Sequence, residues 1–130
     1  MAKENPGSHS RKGIATAFLR LVISGKIHEA YATYVRKDMR HHNPYYAGDA
    51  ASLEKGMIEN DAQFPQKSID IKHALEDGDV VAVHSHVKLQ PSATGFAAVH
   101  LFRIEGDRIV EMWDIVQEVP KDSPNTNGMI

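Results

Sequence analysis

Eight histidines stand in a chain of 130 residues that has no cysteine, set against 15 Lys plus Arg and 17 Asp plus Glu. Imidazole titrates close to neutrality, so this excess invites acid-base, metal-binding and plain surface readings together. Position must separate them. His84 and His86 are two residues apart in a Val-rich run, and a strand turns such a pair to one face with Cα atoms about 6.6 Å apart. The other face of that run reads Val81, Val83, Ser85, Val87 and Leu89, so alternation alone makes it the core face and sends both imidazoles to water.

The next two runs weaken that simple expectation. His100 shares its face with Phe96, Ala98 and Phe102, while Ala97, Val99 and Leu101 make the opposite face equally apolar. Asp114 alternates with Val110, Met112 and Val116, and the other side carries Ile109, Trp113 and Ile115 with Glu111 and Gln117. A sheet that is apolar on both sides has to be covered on both. Helices supply one cover and a second subunit is the economical other, which predicts a homodimer through the sheet face.

Register then decides whether these groups meet. A three-residue hairpin at Glu105-Gly106-Asp107 sets Ala98 opposite Asp114 and leaves His100 a diagonal neighbour at roughly 7–8 Å. If Lys88 lies opposite Ala98, His86 faces His100. His84, His86, His100 and Asp114 then share one face with Ala82, Ala98, Phe102 and Met112, whereas a two-residue turn at Gly106-Asp107 splits His100 from Asp114. Three imidazoles and a carboxylate among apolar residues are costly to bury unless they face a ligand-filled cavity. That points to a pocket, with His42 at its mouth, Asn43 held by Pro44, and Tyr45 either on its rim or covering a helix end.

The elements that position these residues are legible from periodicity. Ile14, Phe18, Leu21 and Val22 repeat at helical spacing, as do Ile27, Ala30, Tyr31, Tyr34 and Val35. Ser8 or Ser10 caps the first helix and Gly25 ends it. Asn43-Pro44 breaks the helical run, and a third helix is expected from Asp49 to Gln63, with Leu53, Met57 and Ile58 on its apolar side and Pro65 stopping it. Four strands follow near 67–76, 79–89, 96–104 and 108–117, separated by Gly-containing turns. Helices first and an antiparallel meander afterwards is α+β architecture with the helices on one face of a bent sheet. One domain over 1–130 is expected, with about 1–10 and 120–130 irregular.

The formal net charge is -2 with histidines neutral, and no basic run is longer than Arg11-Lys12, which argues against nucleic acid or an anionic membrane as partner. Without cysteine there is no disulfide framework and no thiol nucleophile. Met1 to Gly7 lacks an apolar segment, so the expected location is cytoplasmic, with neither secretion signal nor transmembrane helix.

His42-Asn43-Pro44, Gly78-Asp79, the His84 and His86 pair, Phe102-Arg103, Ile109-Val110-Glu111, Trp113-Asp114, Gln117 and Asn127-Gly128-Met129, following three helices, together resemble the SnoaL-like proteins of the nuclear transport factor two-like superfamily. The resemblance spans roughly residues 12 to 130 and is most specific in the second half. It implies a cystatin-like α+β cone whose curved sheet wraps an apolar pocket closed by helices, with sheets packing face to face in dimers. Members are often described as predicted aldol-condensation-catalysing enzymes, after the polyketide cyclases. In those cyclases the residue three before the Phe-Arg arginine is an acid-base aspartate near a strand histidine. Here His100 stands at that aspartate's position and His86 at the histidine's. In the more distant ketosteroid isomerases the general base immediately precedes a proline, and Asn43 occupies that place.

Three readings follow. The first is cofactor-free acid-base chemistry on a carbonyl compound, by isomerisation or aldol closure. His100 or His86 moves the proton, Asp114 orients an imidazole, and His42 or Asn43 donates to the enolate. His84, Tyr45, Phe102 and Met112 then contact the ligand. The second is a pocket that binds or senses a small apolar ligand without chemistry. The third is a divalent metal held by His84, His86, His100 and Asp114. Among the rest, Trp113 is expected to pack on the face opposite Asp114, Arg103 to pair with Glu111 across strands, and His9, His28, His41 and His73 to be surface or helix-end residues.

Overall fold

A computed structural model describes residues 10–130. Ser8, His9 and the expected irregular start therefore lie outside the described residues. Three helices, α1 (Arg11–Ile23), α2 (Ile27–Tyr34) and α3 (Ala50–Gln63), pack on one face of a five-stranded sheet made by β1 (Val35–His41), β2 (Ser68–Asp77), β3 (Val80–Lys88), β4 (Phe96–Glu105) and β5 (Arg108–Glu118). Strand order across the sheet is β1-β5-β4-β3-β2.

The helix boundaries follow local chemistry. The Ser10 hydroxyl accepts the Gly13 N–H at 3.1 Å and so satisfies an orphan donor at the start of α1. Gly25, at φ 87°, reverses the chain after it while Gly25 and Lys26 donate back to Val22 and Leu21. Asp49 caps α3 through the Ser52 N–H, and the helix stops before Pro65. Ile14, Phe18, Leu19 and Val22 of α1, with Ile27, Ala30, Tyr31 and Tyr34 of α2, enter the core beside Val81, Val83, Phe102 and Ile109 of the sheet. Phe18 meets Tyr31 and Phe102 edge-on at 5.4 and 5.9 Å between ring centroids. Ile58, assigned to the buried side of α3, is instead 47 % exposed.

The sheet departs from the expected four-stranded antiparallel meander by one strand. β1 pairs parallel with β5. Its Arg36, Lys37, Asp38 and Arg40 conceal it from any propensity reading, because these exposed charges are what an edge strand carries to discourage pairing with other chains. Val35, Met39 and His41 are its buried residues, and Val35 thereby belongs to this strand rather than to α2. No described helix is long and apolar enough to cross a membrane, and Pro120 to Ile130 contains neither helix nor strand.

Candidate functional site

The hairpin joining β4 and β5 is built differently from expectation, and the difference creates the site. Glu105 pairs with Arg108 across a two-residue turn whose first residue, Gly106, takes φ 61°. Such a turn alone would throw His100 and Asp114 to opposite faces. The register shifts, however, between Ile104↔Ile109 and Arg103↔Glu111, leaving Val110 as an extra residue on β5. That bulge restores the alternation. His100 is therefore directly opposite Asp114, with Phe102 opposite Met112.

On the helix-covered face His100, Met112 and Asp114 line one end of a cavity of about 430 Å³. Its apolar wall includes Phe18, Leu19 and Val22 of α1, Leu53 and Met57 of α3, and Val87, Leu89 and Met112 from the sheet side. Polar groups are few: Tyr31, Asn43, His100 and Asp114, with Tyr45, Asn60 and Lys67 elsewhere on the lining. This size and sparse polarity match small-molecule sites in general.

Asp114 is held from one side. The Asn43 amide donates from Nδ2 to Asp114 Oδ2 at 2.8 Å, and its own Oδ1 accepts the Tyr45 N–H at 3.0 Å. His41 fixes this loop from beneath: its Nδ1 accepts the Asn43 N–H at 3.1 Å, and its Nε2 donates to the Ala47 carbonyl at 2.5 Å. His41 is buried, so its expected surface position is corrected. It acts as a brace that sets Asn43, which in turn sets the carboxylate.

The second carboxylate oxygen, Oδ1, lies 3.7 Å from His100 Nε2, within ion-pair range but too long for a hydrogen bond. The two side chains are 15 % and 16 % exposed. Burial pushes the His100 pKa down, outweighing the opposing pull of the Asp114 charge, so the imidazole is neutral at neutral pH. Its Nδ1 is buried with no hydrogen-bond partner among the described residues. A bare lone pair is cheaper to strand than an N–H, which favours the tautomer with the proton on Nε2, facing Asp114.

Tyr31 is the site residue that periodicity did not flag, because it reads as one more apolar contact of α2. Its hydroxyl is buried with no partner among the described residues. Burial first, then the charge of Asp114, raise its pKa well above the usual phenol value, so it stays protonated and able to donate.

The remaining expected site residues lie elsewhere. His86 pairs with Ala97, and His100 pairs with Val83, so His84 and His86 occupy the outer face of the sheet, opposite His100 and Asp114. Amphipathic alternation was the correct guide to β3. His84 meets His73 Nδ1 to Nδ1 at 3.1 Å, and His86 Nε2 donates to the Thr94 carbonyl at 2.8 Å, pinning the loop that leads into β4. A metal shared by His84, His86, His100 and Asp114 is excluded by this division of faces. Nor do three or more metal-ligating side chains converge anywhere among the described residues.

His42 is also on the outer face rather than at the pocket mouth. It stacks on Trp113 at 5.0 Å and bonds Glu111 Oε2 at 2.7 Å. That bond, together with the one from Arg103 at 3.2 Å, holds the Glu111 carboxyl below its ordinary pKa against the effect of desolvation. The expected Arg103–Glu111 pair is thus present, and Trp113 packs on the face opposite Asp114. Phe102 is fully buried beneath the pocket and does not line it. Met112, Asn43 and Tyr45 do line it, Tyr45 from a rim position 80 % exposed. Tyr46 lies over α3, where a Cβ on Gly56 would come within 2.3 Å of its ring.

Three helices closing a curved sheet over an apolar cavity, with an imidazole and a clamped carboxylate on the sheet, define a small-molecule pocket domain of the α+β cone type. The chain belongs to the SnoaL-like domain family, which matches residues 15–112. Solved structures agree on the fold. A cystatin-fold protein from Novosphingobium aromaticivorans superimposes with a TM-score of 0.71 at 21 % identity, covering 83 % of this chain and 99 % of the other. A SnoaL-like polyketide cyclase from Agrobacterium tumefaciens does so with 0.68 at 14 % identity, over 84 % and 92 %. A nuclear transport factor two-like protein from Cytophaga hutchinsonii gives 0.69 at 11 % identity, over 90 % and 95 %. A comparison with curated proteins finds no match.

Proposed function

We propose that this pocket performs cofactor-free proton transfer on an apolar carbonyl compound, leading to isomerisation or intramolecular aldol closure. The observation that carries the reading is Asp114: Oδ2 is clamped by Asn43 while Oδ1 has no hydrogen bond among the described residues and faces a neutral imidazole in an apolar cavity. Asp114 Oδ1 takes a proton from the carbon next to the substrate carbonyl, and the electron pair moves to the carbonyl oxygen as an enolate. The protonated Tyr31 hydroxyl and His100 Nε2–H donate to that oxygen. Returning the proton to a different carbon completes an isomerisation. Attack of the enolate carbon on a second carbonyl instead forms a carbon–carbon bond, and the resulting alkoxide takes the proton that Asp114 holds. Low dielectric strengthens each of these interactions.

The experiment is α-proton exchange in D2O, followed by NMR on a panel of apolar ketones that bind, comparing wild type with Asp114→Asn and His100→Ala. Exchange that both variants lose by at least about a hundredfold fits general acid-base catalysis, which typically contributes 10²–10⁴-fold. Ligands that bind without any exchange would overturn it and leave a binding or sensing module. The predominantly apolar lining, with Asp114 its single carboxylate, supports that second reading.

The outer face supports a homodimer through the sheet: Val99, Leu101 and Trp113 lie there beside Ile115, which is exposed. Light scattering at twice the monomer mass for wild type, and at the monomer mass for Ile115→Asp, is the expected result. A monomeric wild type removes the proposal.

A further inference from the structure

Lys67 is a charged residue on an apolar wall, and acid-base chemistry at Asp114 gives it nothing to do. Its side chain is 4 % exposed and its Nζ bonds Asp61 Oδ1 at 2.6 Å. An ammonium carries three N–H donors. Among the described residues that one carboxylate oxygen is the only protein acceptor recorded for it, so two donors are unspent on a group that lines the cavity. Leaving such donors buried is expensive, and a ligand acceptor would remove the cost.

The place of Lys67 is set by the sheet. It immediately precedes Ser68, which pairs with Lys88 at the end of β3, whereas His100 pairs with Val83 near its middle. β2 is two strands from β4, a lateral step of roughly 10 Å, and the offset along β3 adds several residues at about 3.3 Å each. Ile69, Val87 and Leu89 line the wall beside Lys67, and Leu53, Met57 and Asn60 of α3 line the helical side. The pocket thus has polar groups at two separated places with hydrocarbon between them.

We infer that Lys67, held by Asp61, is a specificity-determining anchor for the far end of the ligand, and that it selects an uncharged acceptor oxygen such as a ketone, ester or quinone carbonyl. Charge decides between acceptors. Asp61 already balances the ammonium, so a carboxylate or phosphate would bring a net negative charge into an apolar wall, whereas a carbonyl oxygen uses the spare donors at no charge cost. The ligand class is an elongated apolar body with a reactive carbonyl at the Asp114 end and a second oxygen near the Lys67 end. This inference rests on the proposed carbonyl chemistry only for which end reacts.

The test compares two probes sharing one rigid four-ring skeleton: androst-4-ene-3,17-dione, with oxygens at both ends, and androst-4-en-3-one, which lacks the second. Calorimetric titration of wild type is expected to give about tenfold tighter binding of the dione, the worth of one hydrogen bond to a charged donor at its lower end. Lys67→Met should bring the ratio of the two affinities to one, and Lys67→Arg should retain a preference for the dione. The ratio is taken within one protein, so a general loss of stability moves both affinities together and leaves it unchanged. Equal affinities in wild type, or a ratio unaltered in Lys67→Met, would overturn the anchor while leaving ketone α-proton exchange as it was. Binding of neither probe overturns the anchor and the elongated ligand class together, whereas loss of exchange with the ratio intact overturns only the catalytic reading.

Discussion

Replacing Asn43 by Asp tests the clamp on Asp114 with little change of shape. The Asx turn survives, because an Asp oxygen can still accept the Tyr45 N–H now bound by Asn43 Oδ1 at 3.0 Å. What changes is the 2.8 Å contact to Asp114 Oδ2, where a donor becomes an acceptor. Two ionised oxygens at that separation repel by about 6 kcal/mol at an effective dielectric constant of about 20. Keeping one proton at pH 7 on a carboxyl of ordinary pKa costs about 4 kcal/mol, so the folded variant is expected to hold a shared proton there. The pair's folded pKa is then raised above its unfolded value, and stability present at low pH is lost as pH rises above roughly 4, by about 1.4 kcal/mol per pH unit until the folded pKa is reached. Urea unfolding of Asn43→Asp and wild type at pH 5 and pH 7.5 should therefore show a gap that widens by about 3 kcal/mol between the two conditions. Parallel stability curves for the two proteins across that range would refute the clamp.

His100→Leu should flatten stability on the acid side. Burial lowers the folded pKa of His100, so wild type loses stability as pH falls below about 6.5, by up to about 1.4 kcal/mol per pH unit, and the variant lacks that component. Identical acid slopes would show that His100 is not held neutral. Tyr31→Phe removes a hydroxyl that has no partner among the described residues. Its urea midpoint should stay level or rise, with a gain of at most about 1–3 kcal/mol, while ketone exchange falls at least tenfold. Full exchange in that variant would take the enolate donor away from Tyr31.

Much of the fold could be read from periodicity because each helix buries a stripe and each hairpin is punctuated by glycine. β1 could not, since its charged positions are an edge strand's protection and carry no strand preference. The site was half legible. The alternation of β4 and β5 brings His100 and Asp114 to one face through a three-residue hairpin, whereas the chain has a two-residue turn and a bulge that supplies the missing residue. His86 joins the cluster only in a register with Lys88 opposite Ala98, and the observed pairing differs from it by an odd number of residues, enough to send His86 through the sheet. His42 directly follows the buried His41 and so takes the opposite, outer face, where it stacks on Trp113. Tyr31 and Lys67 carried no signal, because a tyrosine on an apolar helix face and a lysine before a strand are ordinary until their polar atoms are found without enough partners.

The extra residue at Val110 makes chain length, rather than side-chain identity, a determinant of whether the pocket has its carboxylate. Facing direction along a strand is a matter of odd and even counts from the turn, and Val110 resets the count for everything after it. Upstream of it the count serves Ile109 in the core, and downstream it serves Met112 and Asp114 in the cavity. Removing this one aliphatic residue would abolish the bulge and let a regular two-residue hairpin pair His100 with Asp114, so the carboxylate would stay in the cavity. Adding a residue between Val110 and Met112 would by contrast need a second bulge, and without one it would turn Trp113 toward the ligand and Asp114 to the outside. The strand thus tolerates loss of its extra residue but not gain of another, and a single insertion acts as a switch between a pocket with a base and one without.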